Sequence, residues 1–312
     1  MTMPTALMRS AITKVAQQED INFLLTNRIP RRWLTFFVGW LSKIEHPLIA
    51  RPVIALWRLF CDVDLSDARD SHYRSLHDCF TRALKDGARP ISNEPDTLIS
   101  PSDGIVGAFG KVVAGECLQA KGFPYTLMDL LADRELVRQY QNGSYVTLRL
   151  TAGMYHRFHA PEDCTVEKVT YIHGDTWNVN PIAVERIKEL FIKNERAVIR
   201  LRLPTGQLIT LVPVAAILVA SIRLHCADVL LHLRYKGPND IPCDAHLARG
   251  EEMGWFQHGS TIIVFAPPGM RPAAGLQTGD TVRMGQPLFE MDPARAPDSK
   301  PGLQQPDEHH EP

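Results

Sequence analysis

The chain has 312 residues, 45% of them hydrophobic, which is enough for one large domain or two small ones with a substantial core. Its formal net charge of -1 argues against a nucleic-acid-binding protein or another general polyanion binder. The six cysteines are scattered and show no Cys-x-x-Cys spacing, so neither a disulfide framework nor a zinc site is indicated. A reducing compartment is the simplest interpretation.

The N-terminal region combines aromatic side chains with positive charge. Apolar residues recur there at helical spacing, and they are Trp33, Phe36, Phe37, Trp40, Leu41, Ile44 and Leu48. Residues 21–60 carry six basic side chains and one acidic side chain. Two interpretations are open: a helix packed on the core, or an interfacial helix with its rings at the lipid headgroup boundary. We expect residues 1–90 to form a helical, membrane-associating region.

The same region is too short to cross a membrane as a helix. Its longest uncharged stretch, residues 33–42, has ten residues, about half of what a spanning helix needs. The N-terminus also lacks an apolar segment of the length found in secretory signals. The sequence therefore predicts neither a transmembrane helix nor a signal peptide, and residues 1–28 are expected to be weakly structured.

The rest of the chain favours β-structure. Helices are predicted over 71–85, ended by Gly87 and Pro90, and over 127–131. From Leu98 onwards, short apolar or alternating runs between Gly and Pro are typical of strands, for example 144–150, 197–201 and 261–265. The apolar stretch 208–222 contains Pro213 and predicts two buried strands joined by a bend. We expect an α+β fold, with a β-rich domain over 91–292 and a proline-rich, disordered tail over 293–312.

The dipeptide Gly259-Ser260 allows a reaction that cuts the chain and creates a cofactor. Attack of the Ser260 hydroxyl on the Gly259 carbonyl turns the peptide bond into an ester, and elimination across Cα–Cβ of Ser260 then breaks the chain. What remains of Ser260 is a covalent pyruvoyl group. Gly259 suits this chemistry because it lacks a Cβ and exposes its carbonyl. Gly-Ser-Thr is common in turns, however, so the tripeptide alone does not decide the function.

Upstream residues supply the acid–base groups that such a hydroxyl needs. His156 and His159 lie three residues apart, and Asp103 lies in a turn-like Ser-Pro-Ser-Asp-Gly segment. A metal site built on these groups is disfavoured, because an arginine separates the histidines and no third histidine completes a ligand motif. We therefore predict no metal.

Two other functions are possible for a chain with these residues. A serine hydrolase would need an Asp, a His and a Ser in the same way, but Ser260 lacks the Gly-x-Ser-x-Gly elbow. A catalytically silent membrane-binding protein is the alternative from a different class, and the presence of all three polar candidates disfavours it.

Further short blocks follow one another in a fixed order along the chain. They are residues 73–76, 80–82, 89–91, 119–122, 174–181, 191–196 and 250–254. Together with the segments around Asp103, His156 and Ser260, they resemble the phosphatidylserine decarboxylase family over about residues 30–287. The chain departs from the family pattern at His258, where the family has Leu, and at residues 151–154.

The resemblance implies a self-processing, pyruvoyl-dependent carboxy-lyase. Such an enzyme converts phosphatidylserine to phosphatidylethanolamine and CO2 through a Schiff base. By resemblance, His159 takes the proton from Ser260 during self-cleavage, Asp103 fixes the tautomer of His159, and His156 acts on the substrate. A pyruvoyl-dependent decarboxylase of another amine is the alternative.

The resemblance also implies partners and a location. The partners are phosphatidylserine, an anionic membrane surface, and the two cleavage products of the chain, which remain together as a heterodimer with further oligomerisation left open. The expected location is peripheral, on the cytoplasmic face of a bacterial inner membrane.

Overall fold

A computed structural model of the chain describes residues 31–61, 63–120, 123–217, 221–257 and 260–291. Several sequence-based predictions fall outside these ranges. They concern the weakly structured residues 1–28, the tail 293–312, and the two residues before Ser260, His258 and Gly259.

Two helices form the N-terminal region. Helix α1 spans Arg31–Leu41 and helix α2 spans Pro47–Phe60. One helix cannot run through both, because His46, the residue before Pro47, takes an extended conformation with ψ 122°. Trp33, Phe37 and Trp40 are 79%, 55% and 63% exposed, so these three rings of α1 do not pack in the core.

Helix α3, Leu76–Phe80, is shorter than the predicted helix over 71–85. Its start is set by Ser75, whose side chain accepts a hydrogen bond from the amide of Asp78. Its end follows from a tertiary contact, since the Thr81 carbonyl accepts hydrogen bonds of 3.0 and 2.8 Å from the Arg157 guanidinium. The predicted length was wrong because this distant arginine binds a carbonyl oxygen that a longer helix would use internally.

About half of the described residues after 96 form strands. The strands are β1 (Thr97–Ile99), β2 (Gly104–Lys111), β3 (Glu116–Ala120), β4 (Phe123–Thr126), β5 (Ser144–Leu150), β6 (Arg157–His159), β7 (Cys164–Ile172), β8 (Arg196–Arg202), β9 (Leu208–Ala215), β10 (Ser221–Leu224), β11 (Val229–His232), β12 (Asp240–Leu247), β13 (Glu252–Phe256), β14 (Ser260–Ala266), β15 (Met270–Pro272), β16 (Thr281–Val282) and β17 (Pro287–Met291). Short helices lie between some of them, and they are α4 (Leu127–Leu131), α5 (Arg134–Tyr140), α6 (Pro181–Arg186) and α7 (Leu190–Lys193). The prediction of a β-rich domain is confirmed, and the strands predicted over 144–150, 197–201 and 261–265 lie in β5, β8 and β14.

An eight-stranded antiparallel sheet forms the centre of the fold, in the order β12-β7-β8-β9-β14-β5-β2-β16. Its middle is covered on both faces. In β14, Ile262 and Val264 belong to one hydrophobic cluster, whereas Ile263 and Phe265 belong to the other. A strand buried on both faces reads as a continuous apolar run, which is the pattern of this segment. Ser260 therefore begins a strand that the core holds rigidly.

Pro213 lies within a central strand and not at a bend. Strand β9 runs through it to Ala215, and Pro213 is in register with Ile262 of β14. The ladder between β8 and β9 joins Arg196 to Val214 and Ile199 to Leu211, and it skips the pairs in between, where proline has no amide to donate. The two predicted strands are present as β9 and β10, but the predicted bend at Pro213 was wrong.

Three smaller sheets surround the central one. Their strand orders are β11-β10-β13-β6, β1-β17-β15 and β3-β4. The first of them matters most for the site, because β6 carries His159 and β13 leads towards Ser260. Within the described ranges, every helix is too short or too polar to span a lipid bilayer.

Candidate active site

Ser260 lies at the start of β14, between β5 and β9. Its backbone is in register with Leu150 on one side and Ala215 on the other. The side chain is fully buried, and its Oγ has no hydrogen-bond partner among the described residues. Leaving a buried hydroxyl unpaired costs about 1–3 kcal/mol, so the unpaired hydroxyl of Ser260 destabilises the folded state by about that amount. Such a hydroxyl is available for reaction.

His156 is fully buried and packs on Phe80, with 4.0 Å between the ring centroids. Its Nδ1 hydrogen-bonds to the carbonyl of Met154 at 2.8 Å. Because a carbonyl only accepts, Nδ1 carries a proton and donates it to this bond, which leaves Nε2 as the nitrogen for proton transfer. The carbonyl of His156 accepts from the amide of Phe256 at 2.9 Å, close in the chain to Ser260. This bond ties the backbone of His156 to the end of β13, four residues before Ser260 in the chain.

His159 is held by hydrogen bonds at both ring nitrogens. Nδ1 donates to the carbonyl of Gly250 at 2.9 Å, and Nε2 accepts from the Tyr155 hydroxyl at 3.0 Å. Burial lowers the pKa of His159, and the Gly250 carbonyl with the charges of Glu252 and Asp103 opposes this only in part. The ring is therefore neutral at neutral pH and able to accept a proton at Nε2.

Asp103 binds an arginine, and no hydrogen bond joins it to His159 among the described residues. Both carboxylate oxygens accept from Arg89, from Nε at 2.9 and 3.2 Å and from Nη2 at 2.6 Å, and Oδ1 also accepts from the Met284 amide at 2.9 Å. The bond to Asp103 raises the pKa of Arg89 above its usual range. A two-point bond to a guanidinium is stronger than a bond to a neutral imidazole, so Asp103 pairs with Arg89 and not with His159. The expected tautomer-fixing contact from Asp103 is thus made by Gly250.

A second ion pair fixes the strand that carries His159. Arg157 donates to both carboxylate oxygens of Glu252 at 3.1 and 2.9 Å, and Nε2 of His225 hydrogen-bonds the same carboxylate at 2.8 Å. Glu252 is in register with His159 across β13 and β6. Burial raises the pKa of Glu252, but the bonds from His225 and Arg157 outweigh it, and the net pKa is lowered. The carboxylate therefore stays charged beside the histidine strand.

Sequence reasoning missed three residues that shape the site. Tyr155 and Arg89 stand inside blocks that the resemblance used, but neither had a role. Gly250 has φ +80°, a left-handed backbone conformation that favours glycine, and its carbonyl accepts the hydrogen bond from Nδ1 of His159. All three positions lie in the sequence blocks that carry the family resemblance, but those blocks give no geometry.

The site contains the groups that a serine-derived cofactor requires. Ser260, at the start of β14, carries a buried hydroxyl with no partner among the described residues. The buried imidazoles of His156 and His159 lie just before and at the end of β6, which pairs with β13. In the described ranges, no group of three or more His, Cys, Asp or Glu side chains is arranged to hold a metal ion. The residues present fit a group made from Ser260 itself.

Comparison with known proteins agrees with this geometry. A family profile described as phosphatidylserine decarboxylase matches residues 76–290. The chain belongs to the phosphatidylserine decarboxylase family. It is 36% identical over 273 residues to the phosphatidylserine decarboxylase proenzyme of Haemophilus influenzae, covering 83% of this chain and 92% of that protein. The proenzyme of Glaesserella parasuis is 34% identical over 274 residues, covering 84% of this chain and 92% of that protein.

A third relative gives the same result from a different organism. The phosphatidylserine decarboxylase proenzyme of Acinetobacter baumannii is 34% identical over 244 residues, covering 76% of this chain and 84% of that protein. The resemblance drawn from the sequence blocks is confirmed, and the family is one of carboxy-lyases.

Proposed function

We propose that the protein is a proenzyme that cuts its own chain between Gly259 and Ser260 and then decarboxylates phosphatidylserine to phosphatidylethanolamine. The observation that carries this proposal is the fully buried Oγ of Ser260 at the start of β14, which has no partner among the residues that the structure describes. Membership of the family and the two buried histidines on adjoining segments support it.

Self-cleavage needs a base, and His159 has the right protonation state for it. As Oγ of Ser260 attacks the Gly259 carbonyl, its proton passes to Nε2 of His159. His159 then gives this proton to the nitrogen of Ser260 as the C–N bond breaks, so that the nitrogen becomes an amine. Loss of the Cα proton then releases Gly259 as a carboxylate. Hydrolysis of the remaining enamine liberates ammonia and leaves the pyruvoyl carbonyl. The Gly250 carbonyl orients the base by holding Nδ1–H.

Asp103 acts in this scheme as a positioning residue. Its carboxylate is fixed by Arg89 and by the Met284 amide, and the nearby Pro101 carbonyl accepts the backbone amide of His159 at 2.8 Å. The negative charge of Asp103 also favours the protonated form of His159 once the proton has arrived. The segment around Asp103 therefore positions His159 and stabilises its protonated form.

Decarboxylation assigns a different task to His156. The pyruvoyl group supplies a carbonyl that condenses with the substrate amine and withdraws the electron pair left by CO2. The apolar surroundings of His156, with the Phe80 ring against it, exclude water from the reacting carbon. Nε2 of His156 is the nitrogen through which a proton can be returned to that carbon.

The substrate lipid is reached from a membrane surface, and α1 and α2 provide the contact. Trp33, Phe37 and Trp40 on α1 are exposed, as are Leu48 and Phe60 on α2. Phe36 has the opposite role, since Arg234 lies over its ring at 4.0 Å and holds α1 to the domain. The exposed rings would seat at the headgroup boundary, and the protein would bind peripherally.

A serine hydrolase is less consistent with the site. Repeated hydrolysis needs a Ser-His-Asp triad in every turnover, and within the described residues Asp103 pairs with Arg89 while Nδ1 of His159 bonds to the Gly250 carbonyl.

The activity is tested with purified full-length protein and three substrates, namely phosphatidylserine in mixed micelles, free serine, and a short-chain carboxylic ester. We expect CO2 and phosphatidylethanolamine from the first substrate, with Ser260→Ala inactive. Release of CO2 from free serine at a comparable rate would favour a decarboxylase of a soluble amine. Ester hydrolysis by an uncut chain would favour the hydrolase.

A further inference from the structure

Arg149 is a half-buried arginine that makes no hydrogen bond or ion pair with the described residues. It lies in β5, opposite Thr261 on one side and Ile105 on the other. The other arginines of the core have acceptors on the protein, as Arg89 has Asp103 and Arg157 has Glu252. Burial lowers the pKa of Arg149, and no acidic side chain counters it. A desolvated guanidinium without a partner is suited to an anion that comes from outside the chain.

Two cavities meet at Arg149. One, of about 350 Å³, lies between the N-terminal helices and the central sheet and is lined by Val38, Trp57, Leu150 and Ala216 among others. The second, of about 550 Å³, is lined on the other side mainly by apolar residues such as Phe109 and Phe191, and also by Glu185. Arg149 is the charged side chain that both cavities share.

The first cavity reaches the strand end where Ser260 lies. Leu150 is the register partner of Ser260, and Ala216 follows Ala215, its partner on the other side. Neighbouring residues of a strand point to opposite faces, so a cavity that touches both Arg149 and Leu150 lies across the end of β5. The cavity thus connects the N-terminal helices with the guanidinium and ends beside two neighbours of Ser260, whose own side chain lies on the opposite face of the sheet from Arg149.

We propose that Arg149 binds the phosphodiester of the lipid substrate while the apolar cavities on either side take its glycerol and the first part of its acyl chains. This assignment rests on the proposed function and names the part of the substrate that the site recognises. A planar guanidinium matches the two non-bridging oxygens of a phosphodiester. Apolar walls on both sides match a molecule that has acyl chains beside its phosphate.

The substrate carboxylate is a poorer partner for Arg149. An ion pair to that carboxylate would stabilise the ground state and be lost as CO2 forms, so it would slow decarboxylation. The phosphodiester keeps its charge throughout the reaction, and binding it serves both the ground state and the transition state. Loss of Arg149 should accordingly raise KM more than it lowers kcat.

The test compares Arg149→Gln and Arg149→Lys with a control, Arg138→Gln, which changes an exposed arginine of α5. Each full-length protein is assayed for self-cleavage on a denaturing gel and for KM and kcat with phosphatidylserine in mixed micelles. Two short-chain inhibitors separate the chemistries, phosphatidylglycerol, which has a phosphodiester and no carboxylate, and diacylglycerol, which has neither.

We expect Arg149→Gln to self-cleave, to raise KM about 10- to 100-fold with a smaller change in kcat, and to lose inhibition by phosphatidylglycerol. Arg149→Lys should recover part of the affinity, since it keeps the positive charge but loses the planar guanidinium that binds two oxygens at once. The Lys variant also serves as the test if the Gln variant does not fold. Inhibition by diacylglycerol should stay unchanged, and Arg138→Gln should behave as wild type.

The assignment is overturned if both Arg149 variants keep the wild-type KM and the wild-type response to phosphatidylglycerol. It is also overturned if the change lies in kcat alone, which would point to the carboxylate. An inactive or uncut wild-type protein would instead refute the proposed function, so the two failures are distinguishable.

Discussion

The hydroxyl of Tyr155 donates a hydrogen bond to Nε2 of His159, with 3.0 Å between oxygen and nitrogen. Since Nδ1 of the same ring donates to the Gly250 carbonyl, Nε2 carries the lone pair, and Tyr155 occupies it. Burial raises the pKa of Tyr155 well above its usual range, so the phenol stays protonated and remains a donor. The nitrogen that must accept the proton of Ser260 is thus covered by another hydroxyl in this structure.

The first prediction concerns Tyr155→Phe. The phenol must leave Nε2 before His159 can act as the base, and a hydrogen bond of this kind is worth about 0.5–1.5 kcal/mol. We expect the Phe variant to self-cleave at least as fast as wild type and up to about tenfold faster. The rate is measured by following chain cleavage after cell-free synthesis. A Tyr155→Phe chain that stays uncut would instead make the phenol part of the proton path.

The second prediction separates the structural role of Asp103 from its role in cleavage. In a Ser260→Ala background, which keeps one chain, Arg89→Gln should lower the free energy of unfolding by about 3–5 kcal/mol, because it leaves the Asp103 carboxylate buried without a counter-charge. Arg89→Gln combined with Asp103→Asn should recover much of that loss. Urea unfolding measures both effects.

With Ser260 restored, the same double variant reports on cleavage. If Asp103 supports His159 as proposed, this protein should be stable yet largely uncut, as should the Asp103→Asn single variant. A stable double variant that cuts at the wild-type rate would show that Asp103 serves stability alone.

The third prediction divides the work between the two histidines. His159→Ala should remain largely uncut, because it lacks the base that forms the cofactor. His156→Ala should cut to a useful extent and then decarboxylate about 10²- to 10⁴-fold more slowly, since only the later proton transfer is lost. Borohydride should still fix labelled substrate to its small chain. Uncut His156→Ala together with cut, inactive His159→Ala would reverse the assignment.

The fourth prediction concerns the N-terminal helices. Trp33→Ala, Phe37→Ala and Trp40→Ala together should weaken binding to phosphatidylglycerol vesicles at least tenfold, because each ring would lose apolar contact with the bilayer. Added salt should weaken wild-type binding as well. The control replaces two exposed apolar residues elsewhere, Val113 and Met128, with Ala. Equal loss in both variants would mean that these helices have no special affinity for lipid.

Local sequence patterns predicted the strands whose side chains alternate or are apolar throughout. Residues 144–150 alternate or run apolar along their whole length, and β5 has the same limits. Pro213 was misjudged because its missing amide matters only to the neighbouring strand, and the β8–β9 ladder simply skips that position. Helix α3 was misjudged because Arg157, far away in the chain, binds the carbonyl of Thr81.

The candidate site also could be predicted only in part, because local sequence does not reveal contacts between distant residues. The sequence supplied Asp103, His156, His159 and Ser260 as chemically apt residue types, and the family resemblance gave each a role. The acceptor for Nδ1 of His159 is the carbonyl of Gly250, whose backbone is left-handed. The spacing of residues in the sequence does not predict this conformation or this contact.

The most direct test of the account is the intact mass of the purified protein beside that of Ser260→Ala, with decarboxylation measured on the same samples. We predict two wild-type chains, one ending at Gly259 and one beginning with a pyruvoyl group at position 260 and resistant to N-terminal sequencing, whereas Ser260→Ala gives one full-length, inactive chain. A wild-type protein that decarboxylates phosphatidylserine as a single full-length chain would contradict the account.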